Sequence, residues 1–174
     1  MPAFPANLQC LEFLGAGGQG EVWLAKDKML GRNVVCKRLD RQFARGSDWQ
    51  SMLEALSCAA SQTGVIPQLF SVQTVADSCW LIQEYVEGKT LEQVHRGRPT
   101  RFSDSAILLL TMDLLGAVVA FAAAGIVHGD LNPANVLIDR AGRARIIDFN
   151  CAAVVGGDAP AAGCLLYTSD AADE

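Results

Sequence analysis

Three glycines, Gly15, Gly17 and Gly20, interrupt the first strand-like stretch of the chain, and Val22 follows them. A glycine turn lets the backbone approach a nucleotide phosphate with no side chain in between. The same spacing opens a dinucleotide-binding turn, but that alternative requires a helix directly after the third glycine. The residues after Gly20, EVWLA, are typical of a strand. We therefore expect two strands joined by a glycine turn.

Further polar residues recur at fixed spacing along the chain. Lys37 lies in the strand-like run NVVCKRL, 22 positions after Gly15. The run HGDLNPAN contains Asp130 and Asn135, and the run DFN begins at Asp148, eighteen positions after Asp130. Separate motifs in this order and at these spacings would be rare by chance.

This set of motifs resembles the protein kinase superfamily, especially bacterial eukaryotic-like serine/threonine kinases, over about residues 8–155. The resemblance implies ATP and Mg²⁺ as cofactors. Asp130 would orient the substrate hydroxyl and accept its proton, and Lys37 would hold the phosphates. Asn135 and Asp148 would hold Mg²⁺. Glu54 would be the ion-pair partner of Lys37, in contact with it or separated only by a displaced helix.

The resemblance also implies a site for the adenine base. The residues forming its apolar walls would be Leu14, Val22, Cys36 and Leu137. The hinge, whose backbone would hydrogen-bond the adenine edge, would be Glu84, Tyr85 and Val86. Gln83 would control the back pocket, and for His128 a packing and backbone-bonding role is expected.

Three residues depart from the family pattern. Gly129 replaces an arginine that pairs with a phosphorylated activation loop, so activation by that route is not expected. Asn132, in the catalytic loop, replaces a lysine that contacts the transferring phosphate, which removes a cation from the site. Asn150 replaces the DFG glycine, a milder change because asparagine tolerates the left-handed region.

The sequence leaves three functions open. The first is a protein serine/threonine kinase. The second is a small-molecule kinase of the aminoglycoside or choline type, whose H-G-D-x-x-x-x-N loop HGDLNPAN also resembles. The third is a pseudokinase that binds nucleotide as a scaffold, which the retained Lys37, Asp130, Asn135 and Asp148 disfavour. The glycine loop and the run EYVEGKTL favour the first.

The expected fold class is α+β, with two lobes. Residues 8–87 should form an ATP-binding lobe, a five-stranded antiparallel sheet with one helix from Ser47 to about residue 60. Strands are expected at Asn33–Leu39, Leu69–Val75 and 79–86. Residues 88–163 should form a partial second lobe, in which Ser103 caps a long helix, Gly125 ends it, and short strands follow at 136–138 and 144–147.

Charge and composition argue against several classes of partner for this protein. The formal charge is -5, but three acids lie in the last five residues and leave -2 for the rest, so no nucleic-acid partner is expected. Six well-separated cysteines and two histidines predict reduced thiols in a cytoplasmic protein and no zinc site. The apolar stretch 106–127 could be read as a membrane span, but Asp113 in its middle favours a buried helix and no membrane segment.

The last residues, CLLYTSDAADE at 164–174, match the translation of a transposase adapter used in sequencing-library preparation. Such tails are excluded from reasoning about a fold. We therefore expect the family sequence to reach about residue 163 and to continue differently in the native gene. The alternative is a natural disordered C-terminus.

Overall fold

The computed structural model describes residues 3–17, 20–39, 47–97, 102–149 and 151–155. Asn150, the tail at 164–174 and the side chain of Ser47 lie outside this description. The expectations about them therefore stay predictions.

Five strands form one antiparallel sheet: β1 (Leu8–Gly17), β2 (Gly20–Asp27), β3 (Asn33–Leu39), β4 (Leu69–Val75) and β5 (Ser78–Glu84). Their order across the sheet is β1-β2-β3-β5-β4. Gly17 lies opposite Gly20, so β1 and β2 form the expected hairpin, with a strand and not a helix after the glycines. β5 ends at Glu84, and Tyr85 and Val86 have left the sheet.

Helix α1 (Ser47–Gln62) follows β3, close to its predicted extent. Its buried residues recur at helical spacing: Met52, Leu56, Ala59 and Ala60. This stripe packs in one core with the buried face of a long helix further along the chain. The helix of the first lobe is thereby attached to the second lobe.

The second region contains β6 (Gly88–Thr90), α2 (Leu91–Gly97), α3 (Asp104–Ala123), β7 (Ile126–Val127), β8 (Val136–Asp139), β9 (Ala144–Ile146) and β10 (Ala153–Val154). A three-stranded sheet has the order β6-β8-β9, and β7 pairs with β10. Helix α3, β8 and β9 were expected from the sequence; α2, β6, β7 and β10 were not. The α+β architecture of two lobes is confirmed.

Both predicted ends of α3 are confirmed. The Ser103 side chain accepts a hydrogen bond from the Ala106 N–H at 3.2 Å, as a helix N-cap does. At the other end, Gly125 has φ 67°, the left-handed conformation in which glycine commonly terminates a helix.

Helix α3 carries a buried charge. Asp113 is 4% exposed, and its carboxylate accepts hydrogen bonds from the Arg143 guanidinium and, at 3.0 Å, from the Ala144 N–H. Hydrogen bonding to Arg143 lowers the pKa of Asp113 against the opposing effect of burial. Among the described residues, α3 alone is long and apolar enough to cross a membrane by length and composition. The ionic contact at its centre ties it to the β8–β9 turn.

One face of α3 is uncovered in the described structure. Its exposed large apolar residues are Ile107, Leu108, Leu109, Met112, Leu115, Val118 and Val119. The expectation of a buried helix is therefore met on one face and not on the other.

Four of the cysteines, Cys10, Cys36, Cys58 and Cys79, are free thiols, as the sequence analysis expects. Cys151 departs from that expectation because it is disulfide-bonded.

Candidate active site

A cleft of about 500 Å³ lies between the five-stranded sheet and the β6-β8-β9 sheet. Most of the predicted site residues line it: Leu14, Gly15, Gly20, Val22, Lys37, Glu84, Val86, Asn135, Leu137 and Asp148. Motifs separated by more than a hundred residues are thus brought to one cavity.

Lys37 extends from β3 into this cleft. It is 7% exposed, and its Nζ lies 2.6 Å from Asp148 Oδ1. Burial lowers the pKa of Lys37, and the Asp148 carboxylate acts in the opposite direction. Asp148 has φ 64°, a left-handed conformation that is uncommon for residues other than glycine and clusters at functional sites. A residue in the left-handed conformation therefore carries the carboxylate that contacts Lys37.

Glu54 lies on the exposed side of α1. Its carboxylate accepts a hydrogen bond from Gln50 Nε2 at 3.0 Å. Glu54 follows Met52 by two positions, which is a rotation of about 200° around the helix axis. Its side chain therefore points away from the core when the apolar stripe is buried. In the described structure Glu54 therefore pairs with Gln50, and Lys37 pairs with Asp148 in place of the expected Glu54.

Asp130 is held by two side-chain amides. Asn132 Nδ2 donates to Asp130 Oδ1 and Asn135 Nδ2 donates to Asp130 Oδ2, each at 2.9 Å. Asn132 is itself fixed, because its Oδ1 accepts the Ala134 N–H at 2.9 Å. Each carboxylate oxygen thus has one donor, which fixes the orientation of a group able to accept a proton.

Asn135 and Asp148 are suited to holding a hard divalent cation. Asn135 lines the cleft, and because its Nδ2 donates to Asp130, the amide oxygen is the side-chain atom that remains to act as a ligand. The Asn135 carbonyl accepts the Ile147 N–H at 2.8 Å, which places this loop beside Asp148. Amide and carboxylate oxygens are the ligands that Mg²⁺ takes in proteins.

His128 stabilises the loop through backbone contacts. Its Nδ1 accepts the Asp130 N–H and its Nε2 lies 3.3 Å from the Ile147 carbonyl. Its ring packs at 4.8 Å from the Phe149 ring and 6.0 Å from the Phe121 ring. Burial lowers the pKa of His128, so the imidazole is held neutral. The expected packing and backbone-bonding role is confirmed.

Gly129 stands where a side chain does not fit. Its φ is 78°, and a Cβ built on it would lie 2.3 Å from the Cys151 carbonyl oxygen. The arginine found at this position in the family pattern is therefore excluded by the local backbone as well as being absent from the sequence.

Cys36 does not contribute to the cleft, so its assignment to the adenine wall is wrong. It is fully buried in a separate core with Ala25, Val34 and Trp80 on the opposite face of the sheet. Side chains alternate along a strand, so Lys37 shares its face with Val35, and Val35 lines the cleft. Burial, with a smaller effect of Cys10, raises the pKa of Cys36 to about 12.

The hinge lies at one end of the cleft. Tyr85 and Val86 line it between the two sheets, and the Val86 N–H and C=O have no hydrogen-bond partner in the described part of the chain. The Glu84 carboxylate is engaged by Arg145, whose Nη2 lies 2.7 Å from it. The backbone of this segment is thus available to a bound ring.

The lining residues that the sequence analysis did not name include Thr90 and Gln93. They form a reciprocal capping box at the start of α2, with Thr90 N–H donating to Gln93 Oε1 at 2.9 Å and Gln93 N–H to Thr90 Oγ1 at 3.1 Å. The spacing of threonine and glutamine three positions apart is a helix-start signal that could have located them.

Comparison with known proteins agrees with this geometry. A profile described as protein kinase domain matches residues 8–169. The chain belongs to the protein kinase family. A probable serine/threonine-protein kinase of Streptomyces coelicolor is 35% identical over 150 residues, which is 82% of this chain and 22% of that protein.

Two further relatives match similar fractions of this chain. A putative cyclin-dependent kinase of Oryza sativa is 32% identical, over 87% of this chain and 49% of the relative. The serine/threonine-protein kinase pkn2 of Myxococcus xanthus is 32% identical, over 88% of this chain and 19% of the relative. The chain thus spans from about a fifth to about half the length of these curated relatives.

Proposed function

We propose that this kinase chain supplies the nucleotide site and catalytic loop of an enzyme that transfers phosphate from ATP, with Mg²⁺, to serine or threonine hydroxyls of proteins. The observation that carries the proposal is the arrangement of Asp130. Its carboxylate is fixed by two amides, and one of them, Asn135, lines the same cleft as Lys37 and Asp148.

Each residue has a separate task in this proposal. Asp130 orients the attacking hydroxyl and accepts its proton on a carboxylate oxygen. Lys37 contacts the phosphates, while Asn135 and Asp148 hold Mg²⁺, which supplies positive charge to the phosphate oxygens when bound. Asn132 adds no charge to the site and instead fixes Asp130.

The substrate class rests on the relatives. Those described above carry kinase names, and two are named serine/threonine-protein kinases. No contact in the described cleft favours an aminoglycoside, choline or a purely scaffolding role. Protein hydroxyls are therefore the substrate proposed.

The test uses the complete gene product and measures phosphate transfer from labelled ATP to a generic protein, with and without Mg²⁺. Asp148→Asn and Asp130→Asn should each abolish transfer while leaving the unfolding midpoint near that of the unmodified enzyme. Asp104→Asn, an exposed acid in the first turn of α3, is the matched control and should retain full activity. Undiminished transfer by Asp148→Asn would contradict the metal role, and transfer to aminoglycosides or choline in place of protein would contradict the substrate class.

A further inference from the structure

Two arginines of the β8–β9 hairpin each contact a glutamate: Glu84, the first hinge residue, and Glu87, which follows the hinge. Arg145 Nη2 lies 2.7 Å from Glu84 Oε2, and Arg140 forms an ion pair with Glu87. The two pairs differ in burial. The Arg145 side chain is 14% exposed, whereas the Arg140 side chain is 78% exposed.

Glu84 is fixed at both its side chain and its backbone. The oxygen that meets Arg145 also accepts the Gln68 N–H at 3.0 Å. In return, the Glu84 N–H donates to the Gln68 carbonyl at 2.8 Å. The first hinge residue is therefore held between the start of β4 on one side and β9 on the other.

Stability alone does not account for Arg145. Its Nε–H is buried and has no hydrogen-bond partner in the described part of the chain, an arrangement that is unfavourable to folding. A buried ion pair is often no more stabilising than an apolar side chain of similar size. The contact does, however, determine where the hinge backbone lies relative to the cleft.

We propose that Arg145 is a positioning residue for the nucleotide base, acting through the Glu84 carboxylate to set the hinge backbone that the adenine ring would contact. The inference rests on the proposed ATP site. Because Arg145 is three positions before Asp148 on the same chain segment, one short stretch orients both the base end and the phosphate end of the cleft. The exposed Arg140–Glu87 pair is too solvated to have the same effect.

The experiment measures binding of ATP, adenosine and inorganic tripolyphosphate to the full chain by calorimetry. Arg145→Met should weaken ATP and adenosine binding about tenfold, the loss expected when one or two neutral hydrogen bonds are misaligned. Tripolyphosphate, which has no base, should bind Arg145→Met as it binds the unmodified chain. Arg145→Lys keeps the charge and should restore most of the affinity, and Arg140→Met is the control that should change nothing.

The outcomes separate this inference from the proposed function. If the unmodified chain binds no ATP, the proposed nucleotide site is wrong. If it binds ATP and Arg145→Met binds equally tightly, or loses ATP and tripolyphosphate to the same extent, the positioning role is wrong. Should Arg145→Met fail to fold, Glu84→Gln, which keeps an acceptor for Gln68 but removes the charge, must show the same selective loss of base affinity.

Discussion

Replacing Gly129 by alanine separates two costs that the structure assigns to this position. The residue has φ 78°, and an added Cβ would lie 2.3 Å from the Cys151 carbonyl oxygen. The left-handed conformation costs a residue with a side chain about 1 to 2 kcal/mol. Relief of the overlap requires a shift of backbone, at a further cost of about 1 to 3 kcal/mol. Gly129→Ala should therefore lower the free energy of unfolding by about 2 to 5 kcal/mol.

Gly142 provides a matched control for the same measurement. Its φ is 77°, but nothing lies within 4 Å of a Cβ built there. Gly142→Ala should therefore show the conformational cost alone, about 1 to 2 kcal/mol. The assay is urea unfolding followed by the fluorescence of the three tryptophans, of which Trp80 is fully buried. Equal losses for the two variants would show that the loop does not press against Cys151, and that an arginine at position 129 is not excluded by packing.

Three further predictions concern stability and solubility. Burial lowers the pKa of His128 from its ordinary 6.5, so the unfolded chain binds that proton more tightly than the folded chain does. The urea midpoint should therefore fall as the pH drops below 6.5, and His128→Gln should flatten that dependence. A pH dependence that His128→Gln leaves unchanged would contradict the neutral buried ring. Asp113→Asn should lower the free energy of unfolding by about 2 kcal/mol, whereas Asp104→Asn, at an exposed position, should lower it by less than about 0.5 kcal/mol. Equal losses of stability would show that the contact between Asp113 and Arg143 contributes nothing. Val119 lies on the uncovered face of α3 and is 68% exposed. Val119→Lys should therefore reduce aggregation, measured by light scattering, without changing the unfolding midpoint. A lowered midpoint would mean that this face is packed.

The sequence predicted the site best where backbone spacing alone decides the outcome. Asp130 and Asn135 lie five positions apart in one short loop, and their side chains meet there. The glycine hairpin was predicted because strand-forming residues flank it on both sides. Lys37 and Asp148 were identified from the family pattern. Their contact joins residues 111 positions apart, so it depends on the folded structure and not on local spacing.

Errors arose where the face of an element matters. Cys36 was assigned to the cleft although strand alternation from Lys37 indicates Val35, an inference that the sequence alone could have supported. Glu54 was expected to contact Lys37 or to be separated from it by a displaced helix. The described structure pairs Glu54 with Gln50 instead, because the apolar stripe that includes Met52 sets the rotation of α1. The Arg145–Glu84 contact joins residues far apart in sequence, and no local pattern indicates such a pair.

The direct contact between Lys37 and Asp148 makes phosphate binding and cation binding interdependent. A phosphate that takes the lysine must release the carboxylate, and a cation that takes the carboxylate must release the lysine. Each ligand therefore removes an internal competitor of the other, so nucleotide and cation should bind with positive cooperativity. By thermodynamic reciprocity, the factor by which the cation tightens nucleotide binding equals the factor by which the nucleotide tightens cation binding.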